Sequence, residues 1–428
     1  MKNFIIKITL VAAVAACAFL GWRNGELRRQ VATYRGTVQL LEKEKRDLQQ
    51  QAVTIASTPN PAEQAALLAQ TEKQTSALRG LPFKHPVTYK SIGRDELKKF
   101  LQGKIAEQYS TQEMHDYGQT LITLGLLPAG TDLAEAILGL YDEQVAAFYV
   151  PEERALYTFK EKSFDSALDK ITLAHELTHA LQDQNYDLTK LPLRIKDNDD
   201  LALATSALVE GDATLLMAQY YGEYLDARNM IGDVLGGVLG QKTSKFQAAP
   251  AFLRESMLFP YQQGTEFATA IFAAGGLEAL DAAFRNPPVS TSEILHPEKY
   301  LRDRRVPEKI VLPVLERAGW RLIGNNVLGE FGLRNMFTAQ QVGIFEAHRA
   351  AGGWNGDRFH VYERGTNGPC FLVWETAWDT EKDAEEFVSS YRHLSGKRGV
   401  TASIQRTGSR VAIRQANTEV ILTEWSSN

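Results

Sequence analysis

The chain has 428 residues, 44% hydrophobic and 23% charged, with a formal net charge of −5. That length and composition suit two or three globular domains with ample core, and the slight negative charge gives no electrostatic case for nucleic acid. The only two cysteines are Cys17 and Cys370, which excludes a cysteine-built zinc site; Cys17 lies in a hydrophobic terminus, which also argues against a structural disulfide.

Residues 1–22 start with Met1-Lys2-Asn3 and run apolar from Ile8 to Trp22, the grammar of an export signal or anchor. From Phe4 to Trp22 the run suffices for one tilted membrane helix. We read it as an uncleaved anchor; the competing reading is a lipoprotein, with Val14-Ala15-Ala16-Cys17 as its cleavage box. Lys2 and Lys7 precede the run while Arg23, Arg28 and Arg29 follow it, so charge does not set the orientation. Residues 23–58 read as a coiled-coil stalk. Leu27, Val31, Tyr34, Val38, Leu41, Leu48 and Ile55 follow spacings of four and three, interrupted in character by Lys45 and Ala52. Such a seam would pair the stalk in a homodimer, and a lone amphipathic helix on the body fits the same spacing. Residues 59–84 read as a linker helix that ends at Gly80-Leu81-Pro82.

The body is expected over 85–301. Amphipathic helices are predicted over 94–109, 111–124 and 132–140. The period then changes, and 145–159 reads as strand, turn and strand. A strand edge beside a cleft can hold an extended peptide by backbone pairing; a plain structural hairpin is the alternative.

The next predicted helix, about 165–184, carries His175-Glu176-Leu177-Thr178-His179. On a helix, residues four apart share a face, so His175 and His179 can take two corners of a zinc tetrahedron. Glu176 can then stand beside the ion and take a proton from a water. The flanking Leu173, Ala174, Thr178, Ala180 and Leu181 are uncharged, so Glu176 would be a carboxylate in a dry place, costly without a cation. After His179 the metzincin glycine and third histidine are missing: Gln182 and Asn185 stand in their places. The third ligand must come from elsewhere. Residues 183–200 read as a solvated acidic loop. The helix after it, 201–221, is almost uncharged and holds Glu210 in its middle. A buried carboxylate there demands compensation, from a zinc ion or from an arginine such as Arg254. Gly211 would allow this helix to approach the metal helix closely.

His-Glu-x-x-His followed by a glutamate on a later helix resembles the gluzincins, the thermolysin-like zinc metallopeptidases. Glu210-Gly211-Asp212-Ala213 is similar to the wording of a bacterial group of envelope-anchored zincins. The resemblance spans roughly residues 85–300. It implies one Zn²⁺ held by His175, His179 and Glu210, with Glu176 as general base. Thermolysin-like enzymes carry an aspartate four residues after the glutamate, where this chain has Thr214. Asp212, Asp183 and Asp187 are therefore the candidates for orienting the histidines.

Downstream, residues 226–247 are glycine-rich and fit a loop or a flap over the cleft. Phe259-Pro260-Tyr261 is predicted to open a helix that Gly275-Gly276 closes. Another helix covers 277–285, and Ser290 and Glu293 have capping-box spacing. In zincins a downstream Tyr or His commonly donates to the oxyanion, and by resemblance Tyr261 or His296 could do so; each also fits a hydrogen-bonded structural role. From 302 to 428 a small α+β module is expected. It has a linker at 302–307, a helix over 329–350, strands near 359–362, 370–374 and 411–413, and a helix over 380–394.

The expectation is thus a mainly α chain with a small β-hairpin or sheet: a zincin-like metallopeptidase core after a membrane anchor and stalk, before an α+β module. Its expected function is zinc-dependent hydrolysis of a peptide or protein substrate at the cell envelope, on the extracytoplasmic (periplasmic) side. The alternative is a catalytically idle zincin scaffold acting as a membrane-tethered interaction protein.

Overall fold

The computed structural model describes residues 61–141, 147–159, 166–225 and 244–426. The expected anchor, with Cys17, the stalk and most of the glycine-rich stretch 226–247 lie outside the described residues. In chain order, helix α1 (Pro61–Arg79) leads to strand β1 (Thr88–Ile92) and helices α2 (Arg94–Gln108), α3 (Thr111–Leu124) and α4 (Leu133–Tyr141). Strands β2 (Ala147–Val150) and β3 (Ala155–Phe159) precede α5 (Ala167–Tyr186) and α6 (Asp199–Tyr224). Helices α7 (Ser244–Ala248), α8 (Ala251–Arg285), α9 (Thr291–Leu295) and α10 (Pro297–Arg302) follow. The C-terminal part is β4 (Trp320–Asn326), α11 (Gly329–Ala339), α12 (Ile344–Ala351), β5 (Trp354–Arg364), β6 (Cys370–Trp378), α13 (Glu381–Arg398), β7 (Thr401–Thr407), β8 (Arg410–Ala416) and α14 (Glu419–Ser426). The protein is mostly helical, with two sheets.

The expected hairpin forms: β2 and β3 pair antiparallel, and the turn between them ends in Arg154 at φ +48°. Strand β1 adds a parallel partner to β3, Thr88 facing Ala155 and Ile92 facing Phe159. The order β1-β3-β2 leaves β2 as an edge. Helix α5 lies between this sheet and α6. Leu173 and Leu177 pack on Ala147 and Leu156, while Ile171 and Ala174 meet Leu216, Tyr220 and Tyr221 of α6. A helix apolar on both sides is a buried one, and this burial carries its polar residues inside. Ser166 starts α5 by accepting from Asp169 N at 3.0 Å.

Gly211 does not serve contact with α5. A Cβ on Gly211 would lie 2.1 Å from the Gly264 carbonyl oxygen, and one on Gly264 would lie 2.2 Å from that of Ala207. The two glycines therefore let α6 and α8 touch backbone to backbone. Helix α8 starts at Ala251 rather than near Phe259, and Pro260 sits inside it. Gly275-Gly276 kinks the helix there, with Gly276 at φ +64°. By length and composition α6 and α8 are apolar enough to cross a membrane, and much of that apolar surface forms their shared core, including Leu208, Phe267 and Ile271.

Three further stretches differ from the sequence reading. The supposed linker helix is built into the body, since Thr71, Thr75 and Arg79 of α1 are buried. The acidic stretch 183–200 is not simply solvated: Asp183 and Asp200 are buried, and Asp199 already belongs to α6. The span 329–350 is two helices, α11 and α12, not one.

The C-terminal sheet is antiparallel, order β4-β5-β6-β8-β7. Its core residues Val361, Leu372, Trp374 and Ile413 join Leu121 and Leu124 of α3 and Leu133 of α4 in one hydrophobic cluster. The sheet and the α3–α4 pair thus share a core.

Candidate metal centre

Three ligand atoms converge where α5 faces α6. His175 Nε2 and His179 Nε2 are 3.1 Å apart, and Glu210 Oε2 lies 3.2 Å from the first and 3.4 Å from the second. The histidine rings stand edge to face at 88°. The i, i+4 spacing on α5 aims both imidazoles at α6, and Glu210 answers from the facing turn of that helix. Both histidines and Glu176 are buried.

The electrostatics follow from this closeness. Burial alone would raise the Glu210 carboxyl, yet His179 and His175 hold it well below the usual carboxylate range. Burial likewise works against charge on His179, but Glu210 outweighs it and brings the imidazole up to about 9. Glu176 is pushed up by burial, against the pull of both histidines. Its Oε2 accepts the Tyr149 backbone N–H at 2.9 Å, which docks the carboxylate against the edge strand β2.

The donor set fits zinc. Tetrahedral ligands at ~2.0–2.1 Å from one ion stand ~3.3–3.4 Å from each other; the observed separations are 3.1, 3.2 and 3.4 Å. Two imidazoles and one carboxylate are a set that suits a catalytic zinc site.

None of Asp183, Asp187 and Asp212 touches a histidine directly. His179 Nδ1 pairs with Gln182 Oε1 at 2.9 Å. The Gln182 amide N donates to Val209 O at 3.0 Å and to Asp212 Oδ2 at 2.9 Å, so its oxygen must face the ring and the His179 Nδ1 must carry the hydrogen. Asp212 in turn accepts from Arg79 Nε at 3.0 Å, and Arg79 Nη1 reaches Asp281 at 2.8 Å. Asp183 accepts from Tyr149 OH at 2.9 Å and Leu188 N at 3.1 Å, and Asp187 caps the end of α5 near Lys190. His175 Nδ1 is buried with no hydrogen-bond partner among the described residues. Arg254 bonds to the carbonyls of Gln247 and Ala249, not to Glu210.

The two oxyanion candidates part ways. Tyr261 stacks over His175, ring centres 6.1 Å apart, and is 41% exposed, so it borders the centre from α8. His296 instead sits 2.9 Å from Glu330 Oε1 and 3.3 Å from Arg334 Nη2, at the junction of α9 and α10. Sequence reasoning passed over Gln182, Tyr149 and Arg79. Gln182 carried a signal, its i+3 spacing from His179; Arg79, 133 positions from Asp212, carried none.

A second group, His115, Asp116 and Glu363, also gathers ligand atoms. Arg321 bridges it, bonding Asp116 at 2.8 Å and Glu363 at 3.2 Å, and this guanidinium already supplies the positive charge that a cation would bring.

Comparison with known proteins adds little to this geometry. No curated protein matches the chain. A family model described as "Domain of unknown function (DUF8575)" matches residues 317–427, the C-terminal sheet region. Among solved structures, the chain is similar to "a putative hydrolase with a novel fold" from Chloroflexus aurantiacus, at 21% identity and a TM-score of 0.40, over 58% of this chain and 93% of that one.

Proposed function

We propose that this chain is a gluzincin-like zinc metallopeptidase, with His175, His179 and Glu210 holding one Zn²⁺. The observation that carries the reading is the convergence of three ligand atoms at 3.1–3.4 Å beside a buried, otherwise awkward Glu176. A bound zinc would polarise a water and the substrate carbonyl, and lower the water's pKa to ~7. Glu176, held by the Tyr149 N–H, accepts the proton of the attacking water and passes it to the leaving amine. Its burial-raised affinity for a proton suits that role. Tyr261 stands over His175 and donates its hydroxyl to the developing oxyanion. Strand β2, an edge strand beside Glu176, offers its backbone to an extended peptide. His296, engaged by Glu330 and Arg334, has no part in this scheme. The setting we propose is the cell envelope, extracytoplasmic, with residues 1–22 as membrane anchor and the stalk pairing two copies.

The test uses the full chain in detergent. Metal analysis should find about one zinc per chain, as one three-ligand site requires, and digestion of a peptide library should stop with a chelator. Absence of bound zinc, or digestion that ignores the chelator, would overturn the reading.

A further inference from the structure

We infer that helix α1 is a positioning element of the metal centre, acting through a buried relay from Arg79 to Asp212 to Gln182 to His179. The inference rests on the zinc reading above and adds how one ligand is held. Each link has one possible direction. Arg79 only donates, and it meets Asp212 at 3.0 Å with both side chains about 1% exposed. Asp212 therefore accepts, and it receives the Gln182 amide N–H as well. The amide cannot turn over without facing its N–H₂ toward a ring N–H and its oxygen toward two acceptors. With Nδ1 fixed as the donor to Gln182, Nε2 is the ring nitrogen left to face Glu210 and His175, and it is the one that would bind an ion on giving up its proton.

The arrangement differs from a carboxylate set directly against a ligand histidine. An amide fixes the ring but adds no charge beside the ion. The charge stands one residue further back, on Asp212, and Arg79 already balances it. Arg79 also ties Asp281 of α8 to the same point, so α1 joins α5, α6 and α8 behind the centre. Removing α1 would leave Asp212 as an unpaired buried carboxylate, free to pull the Gln182 amide away from its present angle. A chain beginning after Gly80 would then have all three zinc ligands and a poorly held His179.

The experiment measures zinc dissociation constants by chelator competition, and the visible spectrum of the cobalt-substituted protein, for the full chain and three variants. Gln182→Leu should weaken zinc binding about 10- to 100-fold, the usual effect of losing a partner of a ligand histidine, and shift the cobalt bands while the helical signal is unchanged. Arg79→Met should weaken binding in the same direction. Arg79→Lys, which keeps the charge but cannot bridge two carboxylates in a fork, should fall between parent and Arg79→Met, and it serves alone if Arg79→Met does not fold. Gln182→Leu at parent affinity with parent cobalt bands would overturn the relay. Folded Arg79 variants at parent affinity would overturn the link to α1. Failure of the parent itself to bind zinc would instead overturn the metallopeptidase reading.

Discussion

The Glu176 carboxylate and the Tyr149 backbone N–H are 2.9 Å apart, a bond between helix α5 and the edge strand of the N-terminal sheet. A glutamine at 176 can accept the same hydrogen bond but cannot take a proton at neutral pH. Glu176→Gln should therefore keep the fold and the bound zinc. It should lose peptide hydrolysis by about 10²–10⁴-fold or more, the range of general acid–base catalysis. Zinc content and turnover measured together check this; a variant with full zinc and parent turnover would exclude Glu176 as the base, and no turnover in parent and variant alike would return the chain to the idle-scaffold alternative.

Glu210 supplies the only carboxylate among the three converging atoms. Under the proposed zinc reading, Glu210→Gln replaces an anionic ligand with a weak neutral one. Zinc affinity should fall by more than about 100-fold, beyond the usual loss for an outer partner. Chelator competition reads it directly, and a change of less than tenfold would show that Glu210 is not a ligand.

Gly211 and Gly264 mark a backbone-to-backbone contact of α6 with α8. Gly211→Ala places a methyl 2.1 Å from the Gly264 carbonyl oxygen, so the helices must part. A stability loss of about 1–3 kcal/mol is expected for such overpacking, or more where backbone must move. Chemical denaturation of the zinc-free protein isolates this effect from metal binding, and an unchanged midpoint would refute the contact.

Asp200 provides a pH dependence away from the candidate metal centre. Burial pushes its carboxyl up from 3.8 to about 7, although Thr291 donates to it from backbone and hydroxyl. Between those values the folded chain keeps a proton that the unfolded chain has released. The group's contribution is full below its unfolded value and is lost as pH rises through about 7, so stability falls across this window. Asp200→Asn keeps an acceptor for Thr291 and removes the titration. Its denaturation midpoint should therefore fall less than the parent's from about pH 5 to about pH 7.5; parallel profiles would exclude Asp200 as the source.

What the sequence determined is local. The i, i+4 histidines, the uncharged flanks of 172–181 and the lone glutamate inside an apolar helix are patterns within single elements, and chemistry can be read from such patterns. The β2–β3 hairpin, the Ser290 cap and the strands 359–362, 370–374 and 411–413 are legible for the same reason, because their partners lie close by or their period is plain. Tertiary structure decided the pairings between distant stretches. Strand β1 joins β3 from more than sixty residues upstream, Gly211 turns out to serve α8 rather than α5, and His296 goes to Glu330 while Tyr261 borders the trio of His175, His179 and Glu210. Arg79 reaches Asp212 across 133 positions. Nothing in the residues around Arg79 marks it, because a buried ion pair is set by where two helices come to rest, and that depends on the packing of the whole core.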